Sequence, residues 1–184
     1  LERALVKAGD HRALVELYEA RAALTGEPTD CAQLRLRAAE LYELRLGDAG
    51  KAAQCYEEAL ALVPNLLPAR SGLARVFAAS GDFERARGML EALAGAAKDR
   101  ATVIEAMLLA GAIARDQMKD PRGAAGYFQR VLELEPLHPE AGTALEDLLA
   151  SQGGAAELAA LHERRGDTRL AQRDNAAAGR ELYA

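Results

Sequence analysis

Large and β-branched side chains are scarce in this sequence of 184 residues. Tryptophan is absent, five tyrosines and three phenylalanines are the only aromatic residues, and valine, isoleucine and threonine together number 13. Strands favour β-branched and aromatic residues, whereas alanine and leucine, which number 42 and 29, are strong apolar helix formers. The composition therefore excludes most β architectures. It predicts an all-α chain whose core is built from closely approaching helices.

Residues that build metal centres and catalytic sites are also few. Cys31 and Cys55 are the only cysteines, too few for a disulfide framework or a zinc site, and we expect small buried apolar side chains there. His11, His138 and His162 stand far apart, with no further metal ligands at suitable spacing. No grouping supplies a nucleophile, a base and an orienting residue. We therefore predict no cofactor, no metal and no enzymatic activity.

Membrane and nucleic-acid signals are missing as well. No apolar run approaches the ~20 residues of a membrane span, and no signal peptide is present. The net charge of −5 comes without a concentrated basic face, which argues against a nucleic-acid partner. The chain begins at Leu1 without Met and inside a helical pattern, so we interpret residues 1–184 as a single domain from a longer protein. Its compartment stays unknown, with the cytoplasm as the default.

The sequence does contain an internal repeat, in which the turn Gly9-Asp10 recurs as Gly81-Asp82. We call the separation between these two turns the repeat offset. The same offset relates Gly47-Asp48 to Lys119-Asp120. It also relates core residues and helix stops, namely Ala52 with Ala124, Tyr56 with Phe128, and Pro64 with Pro136. Each period divides into two helical hairpins, one slightly longer than the other.

The turn residues predict where each helix begins and ends. A glycine such as Gly47 suits the left-handed position after a first helix, and the aspartate after it can cap the next helix. Pro64 ends a second helix because proline lacks the amide N–H. Thr102 and Glu105 have the spacing of a capping box. The pattern predicts eleven helices, at approximately 1–8, 11–24, 30–46, 49–63, 67–80, 83–96, 100–118, 121–135, 138–152, 155–165 and 168–183.

The hairpin from Leu67 to Arg100 resembles a tetratricopeptide repeat. Its length equals that of the family's repeat, about 34 residues. Four residues fit the conserved packing positions of the family: Leu73, Ala74, Phe77 and Ala86. Arg70 departs from the pattern, because it occupies a position often held by tryptophan.

Three further hairpins resemble the family to different degrees. The hairpin of residues 33–66 fits through its second helix, although its first helix is one residue longer than the family's. Residues 105–138 are similar, and the copy from Pro139 onward is degenerate. The resemblance is to a divergent, bacterial type of array. It implies an α-solenoid of about five antiparallel helical hairpins, stacked as a right-handed superhelix.

In such stacks the first helix of each hairpin lines a concave groove. The family's phase places eight polar residues there: Arg37, Glu40, Ser71, Arg75, Arg115, Asp116, Thr143 and Asp147. Arg75 and Asp147 stand where some family members need asparagine to clamp a terminal carboxylate, so we do not expect a chaperone adaptor of that kind. For any single one of these residues, an ordinary solvated surface is an equally good interpretation.

The resemblance implies a non-catalytic scaffold that binds a partner protein or peptide in its concave groove. The alternative is a structural or assembly element that stacks end to end or oligomerises. This alternative rests on residues 1–8 and 169–184, which resemble halves of incomplete hairpins. Such ends expose apolar faces and favour self-association.

Overall fold

The computed structural model describes the backbone of residues 1–182 and the side chains of residues 1–173. This part is all-α, as predicted, and contains no strand. Its elements are α1 (Glu2–Ala8), α2 (His11–Leu24), α3 (Pro28–Leu41), a π-helical turn (Tyr42–Leu46), α4 (Ala49–Leu62), α5 (Leu67–Ala79), α6 (Phe83–Ala96), α7 (Arg100–Asp116), α8 (Pro121–Leu134), α9 (Pro139–Ser151) and α10 (Ala155–Leu182).

These helices form two compact units, residues 1–103 and 104–184. In the first unit each helix from α2 to α6 packs against the next along the chain. In the second unit α8 packs against α9, and α9 against α10. The assignment of all 184 residues to one domain stays a prediction.

The predicted turn chemistry is confirmed at four hairpin turns. Each turn has a glycine in the left-handed conformation or, in one case, Lys119 with φ 55°. Each turn also has an aspartate whose side chain accepts a hydrogen bond from the backbone N–H three residues later: Asp10, Asp48, Asp82 and Asp120. Lys119 therefore adopts a backbone conformation that is strained for a residue with a β-carbon.

One predicted helix cap and one predicted helix break are wrong. Thr102 does not cap α7, because the helix already begins at Arg100 and Asp99 accepts a hydrogen bond from the Thr102 N–H at 2.8 Å. Aspartate is a stronger N-cap than threonine. The break expected between residues 165 and 168 is also absent, since α10 runs without interruption from Ala155 to Leu182. A single glycine inside a helix weakens it by only about 1 kcal/mol and does not end it. Of the predicted last helix, residue 183 lies outside the described part.

The first helices that end before Asp48 and Asp120 each accommodate one extra residue in their last turn. In the first unit, the π turn lets the Asp48 N–H donate to the Tyr42 carbonyl at 3.0 Å. In the second unit, at the position related by the repeat offset, the Asp120 N–H donates to the Ala114 carbonyl at 2.9 Å. A π turn absorbs one additional residue without ending the helix. The left-handed residue and the capping aspartate that follow therefore keep the same geometry in both units.

Small residues recur where helices approach closely. Ala52, Ala86 and Ala124 are completely buried. The fully buried Tyr56 ring of α4 lies over Gly72 of α5, where a β-carbon would overlap it. The abundance of alanine thus reflects helix packing as well as helix propensity.

Candidate functional site

In the first unit, ion pairs connect the first helices of successive hairpins. Glu2 on α1 accepts a hydrogen bond from Arg37 on α3 at 3.5 Å. Glu43 in the π turn accepts hydrogen bonds from Arg75 on α5 at 2.8 and 3.0 Å. We call the surface formed by α1, α3, the π turn and α5 the first-helix face.

Glu43 is the centre of the first of two polar clusters on this face. Its two oxygens accept hydrogen bonds from both the Arg75 guanidinium and the Tyr56 hydroxyl, the latter at 2.6 Å. Arg75 also donates to the Ser71 hydroxyl at 3.2 Å. The Glu43 side chain is 14% exposed, whereas that of Arg75 is 51% exposed. The cluster therefore fixes a guanidinium that stays accessible to solvent.

Burial and hydrogen bonding set the charges of this cluster. Burial by itself would raise the pKa of Glu43, but the hydrogen bonds from Arg75 and Tyr56 outweigh it and hold that pKa below its ordinary value. Burial also raises the pKa of Tyr56, and its hydrogen bond to Glu43 raises it further. Glu43 is therefore ionised at neutral pH, and Tyr56 keeps its proton and donates it in a hydrogen bond.

The second cluster surrounds Glu2. This carboxylate accepts hydrogen bonds from the Tyr18 hydroxyl at 2.9 Å, Arg21 at 3.0 Å and Arg37 at 3.5 Å. The Tyr18 hydrogen bond is the main reason that the pKa of Glu2 is lowered. The Arg37 guanidinium also lies 5.9 Å from the centre of the Tyr18 ring, which is within the range of a cation–π interaction.

Sequence reasoning identified Arg75 and Arg37 of these clusters, and missed Arg21 and the glutamates. The missed glutamates are Glu2 and Glu43, and the role of the tyrosine hydroxyls was missed as well. A signal was available, because a buried tyrosine needs a hydrogen-bond partner for its hydroxyl. Three tyrosines meet this need with a glutamate on another element, in the pairs Tyr18–Glu2, Tyr42–Glu19 and Tyr56–Glu43.

The structure brings some of the eight predicted face residues together. Arg75 bonds Ser71, as described above, and Arg115 forms a bidentate pair with Asp116 at 2.7 and 2.9 Å. Glu40 is exposed on α3, and Thr143 is exposed on α9 with its hydroxyl donating to the Pro139 carbonyl. Asp147 is also exposed on α9. That these residues bind a partner stays a prediction.

The second unit has charges of opposite sign at the positions that correspond to the Glu43 cluster. The repeat offset relates Glu43 to Arg115 and Arg75 to Asp147. The hydrogen bond to Asp116 is the main reason that the pKa of Arg115 is raised, and Asp147 contributes through its charge. Phe128 replaces Tyr56 at the related position and has no hydroxyl to donate. Equivalent positions of the two units therefore present opposite charges.

The departure at Arg70 has a structural explanation. Its guanidinium donates to the Pro64 and Ala92 carbonyls, both at 2.6 Å, and so connects the ends of α4 and α6. The repeat offset relates Arg70 to Gly142 in the second unit, where the guanidinium of Arg165 from α10 fills the vacant space. Arg165 also pairs with Glu146 on α9. In both units an arginine thus takes the place of a large aromatic side chain.

Neither a metal-binding cluster nor a membrane-spanning helix occurs in the described part of the chain. Within this part, no three Cys, His, Asp or Glu side chains are grouped so that they could hold a metal ion. No helix of the same part has the length and apolarity to cross a bilayer. The two cysteines are free, and burial raises the pKa of the Cys55 thiol to about 11.

Comparisons with known proteins agree with this geometry. A tetratricopeptide-repeat family model matches residues 43–110. The chain is similar to the crystal structure of MamA, with 12% identity, a TM-score of 0.66 and coverage of 95% of this chain and 97% of MamA. It is also similar to BtubC from P. vanneervenii, with 22% identity, a TM-score of 0.63 and coverage of 94% and 78%.

A third similar structure is the N-terminal domain of stress-induced protein-1 from C. elegans, with 21% identity and a TM-score of 0.60, covering 67% of this chain and 98% of that domain. No curated protein sequence matches the chain. At these identities the structural likenesses establish the fold alone. Residues 43–110 therefore match the tetratricopeptide-repeat family, and the chain has the all-α fold of tetratricopeptide solenoids.

Proposed function

We propose that this chain is a non-catalytic scaffold that binds a partner protein or peptide on the first-helix face. Solenoids of helical repeats offer extended surfaces of this kind. The observation that carries the proposal is the state of Arg75. Its guanidinium is held in one position by Glu43 and Ser71, yet half of its side chain is exposed.

A fixed and accessible guanidinium is well suited to recognition. Ordering a long side chain on binding opposes association, and Glu43 has already ordered Arg75 before a partner arrives. A planar guanidinium also matches the geometry of carboxylate groups and carbonyl oxygens. Tyr56 adds to the order, because it fixes Glu43 from the interior of the unit.

A photo-crosslinking experiment tests the proposal. We place p-benzoylphenylalanine at position 40 on the first-helix face, or at exposed position 54 on α4, and identify the crosslinked proteins. We expect a partner that reacts from position 40 and not from position 54. Arg75→Glu in the position-40 protein should reduce that crosslink at least tenfold.

The matched control is Arg85→Glu. Arg85 on α6 is also about half exposed and also forms an ion pair between helices, with Glu57 at 2.6 Å. This change alters the net charge equally but lies away from the first-helix face, so the crosslink should persist. Equal losses from the two variants, or identical crosslinks from positions 40 and 54, would contradict the proposal.

The second candidate is the assembly element. It is favoured by two leucines of the first unit that are largely exposed, Leu24 at 87% and Leu44 at 65%. Each exposed leucine adds apolar area to an interface between copies of the chain. Sedimentation velocity over a wide concentration range tests this candidate, with Leu24→Glu as the variant. A clean monomer at the highest concentration would contradict it, whereas an oligomer dispersed by the substitution would support it.

A further inference from the structure

Two arginines of the first unit span the groove between its helices α4 and α6. Both helices pack against α5, which forms the base of the groove. Arg85 of α6 donates to Glu57 of α4 at 2.6 Å, and its guanidinium lies 3.8 Å from the centre of the Phe77 ring on α5. Arg70 crosses the same groove near the C-terminal ends of α4 and α6. Arginine side chains therefore occupy this groove at two levels.

The second unit has the related groove between α8 and α10, with α9 as its base. The repeat offset relates α4, α5 and α6 to α8, α9 and residues 155–168 of α10, so each wall has its full length. The positions that fill the groove in the first unit carry other residues here: Glu57, Arg70, Phe77 and Arg85 are related to Gln129, Gly142, Leu149 and Glu157, respectively. Neither the ion pair nor the stacked guanidinium can form from these residues.

A cavity of about 630 Å³ occupies this groove of the second unit. Its apolar lining includes Leu132 from α8, Leu145 and Leu149 from α9, and Leu161 from α10. The volume is in the range of ligand pockets, about 300–1,000 Å³. The contacts that fill the groove in the first unit come only from α4, α5, α6 and the end of α4 at Pro64. The cavity therefore follows from the side chains of α8, α9 and α10 themselves.

Negative charge predominates in the lining of this cavity. It contains three carboxylates, those of Glu133, Glu157 and Asp167. Arg164 and Arg165 also line it, but Arg165 is paired with Glu146. The cavity thus offers carboxylates beside leucine side chains. An arginine side chain matches both, because it joins an apolar methylene stem to a planar cation with several donors.

We propose that the groove between α8 and α10 binds an arginine side chain of a partner protein. The methylene stem of this arginine lies against Leu145 and Leu149, and its guanidinium donates to carboxylates of the lining, Glu157 among them. The bound side chain takes the place that Arg85 fills in the first unit. This site belongs to the second unit and does not depend on the scaffold interface around Arg75.

A titration of the unmodified chain with a small probe tests the site. The probe is N-acetyl-arginine methylamide, and the reference is its citrulline analogue, which has nearly the same shape but no charge. The methyl resonances of Leu145 and Leu149 in carbon-13 NMR spectra report binding at the base of the groove. We expect saturable shifts with the arginine probe and about fivefold weaker binding of the citrulline analogue, because hydrogen bonds to charged groups are the stronger ones.

Three results of this titration would overturn the proposal. The first is that the methyl resonances of Leu145 and Leu149 do not move at the highest probe concentration. The second is that the citrulline analogue binds as tightly as the arginine probe. The third is that the lysine analogue binds more tightly than the arginine probe, which would contradict the assignment to a guanidinium.

The double variant Gln129→Glu, Glu157→Arg transfers the ion pair of the first unit into this groove. A side chain of the protein that occupies the site nine-tenths of the time weakens the apparent affinity about tenfold. We therefore expect the arginine probe to bind the double variant about tenfold more weakly than the parent chain. Undiminished binding to the double variant would contradict the site.

Gln129→Glu alone leaves the groove open and adds a carboxylate, so it should tighten binding of the probe about threefold, the effect of an exposed ion pair. Gln54→Glu is the matched control. Gln54 is exposed on α4 of the first unit, so this change adds the same charge away from the cavity and should leave the affinity unchanged. An equal gain from Gln54→Glu would show that the probe follows net charge alone, and would overturn the site.

Discussion

The ring of Tyr56 lies directly over Gly72, so that α4 and α5 approach each other with no side chain between ring and backbone. Tyr56 is completely buried, and its hydroxyl is fixed by Glu43. The ring therefore has little freedom to move away. This contact makes the packing of two helices depend on the absence of one methyl group.

Gly72→Ala is expected to destabilise the protein by roughly 1–3 kcal/mol, because the added methyl group overpacks a rigid contact. The measurement is the free energy of unfolding in urea. Gly88 is the matched control, since it lies within α6 with nothing close to its missing β-carbon. Gly88→Ala should stabilise the protein by roughly 0.5–1 kcal/mol through helix propensity. Equal effects of the two changes would refute the importance of the ring contact.

Lys119→Gly is expected to stabilise the protein by roughly 0.5–1 kcal/mol, because glycine adopts a positive φ freely. Lys119 has φ 55°, a conformation that is unfavourable for residues with a β-carbon. Its hydrogen bond to the Asp116 carbonyl is exposed and contributes little. The reverse change at the related turn, Gly47→Lys, should destabilise by a similar amount. Thermal unfolding of the two variants checks both signs, and a stabilising Gly47→Lys would contradict the explanation.

Glu43→Gln should weaken the pH dependence of stability in acid. The pKa of Glu43 is lower in the folded state than in the unfolded state, so its ionised carboxylate stabilises the fold. This stabilisation is fully present above the unfolded-state pKa, about 4.3, and is lost as the pH falls through the folded-state pKa. We expect a loss of about 1 kcal/mol at pH 7, since Arg75 is half exposed, and a flatter decline below about pH 5.

Glu57→Gln provides the comparison for the Glu43 variant. Glu57 pairs with Arg85, but both side chains are at least half exposed, so the substitution should change stability by less than about 0.5 kcal/mol. Urea unfolding at a series of pH values measures both variants. Parallel pH profiles for Glu43→Gln and the parent chain would contradict the assigned role of Glu43.

The Glu146–Arg165 pair can be replaced by the residues found one period earlier. The repeat offset relates Glu146 to Ala74 and Arg165 to Leu93. Arg165→Leu alone leaves the partly buried Glu146 without this partner and should cost roughly 1–3 kcal/mol. The double variant Glu146→Ala, Arg165→Leu should recover most of that loss. Additive losses in the double variant, measured by urea unfolding, would contradict this account.

The sequence was sufficient for the features that local chemistry determines. The glycine–aspartate turns, the buried alanines and the aromatic positions follow from backbone conformation and packing volume, and the structure confirms them. The capping residue of α7 and the unbroken α10 were mispredicted, because a neighbouring aspartate supplies the cap and a tolerated glycine does not end the helix. The glutamates of the first-helix face were missed, since their partners are far away in the sequence and on other helices.

The π turn also affects how this chain aligns with its relatives. The match to the family model begins at residue 43, inside that turn. One inserted residue rotates the helix by about 100° relative to a template that lacks it. An alignment without a gap at this turn therefore assigns the residues before it, Arg37 and Glu40 among them, to the wrong template columns. Searches for proteins that share this surface should place an insertion at residues 42–46.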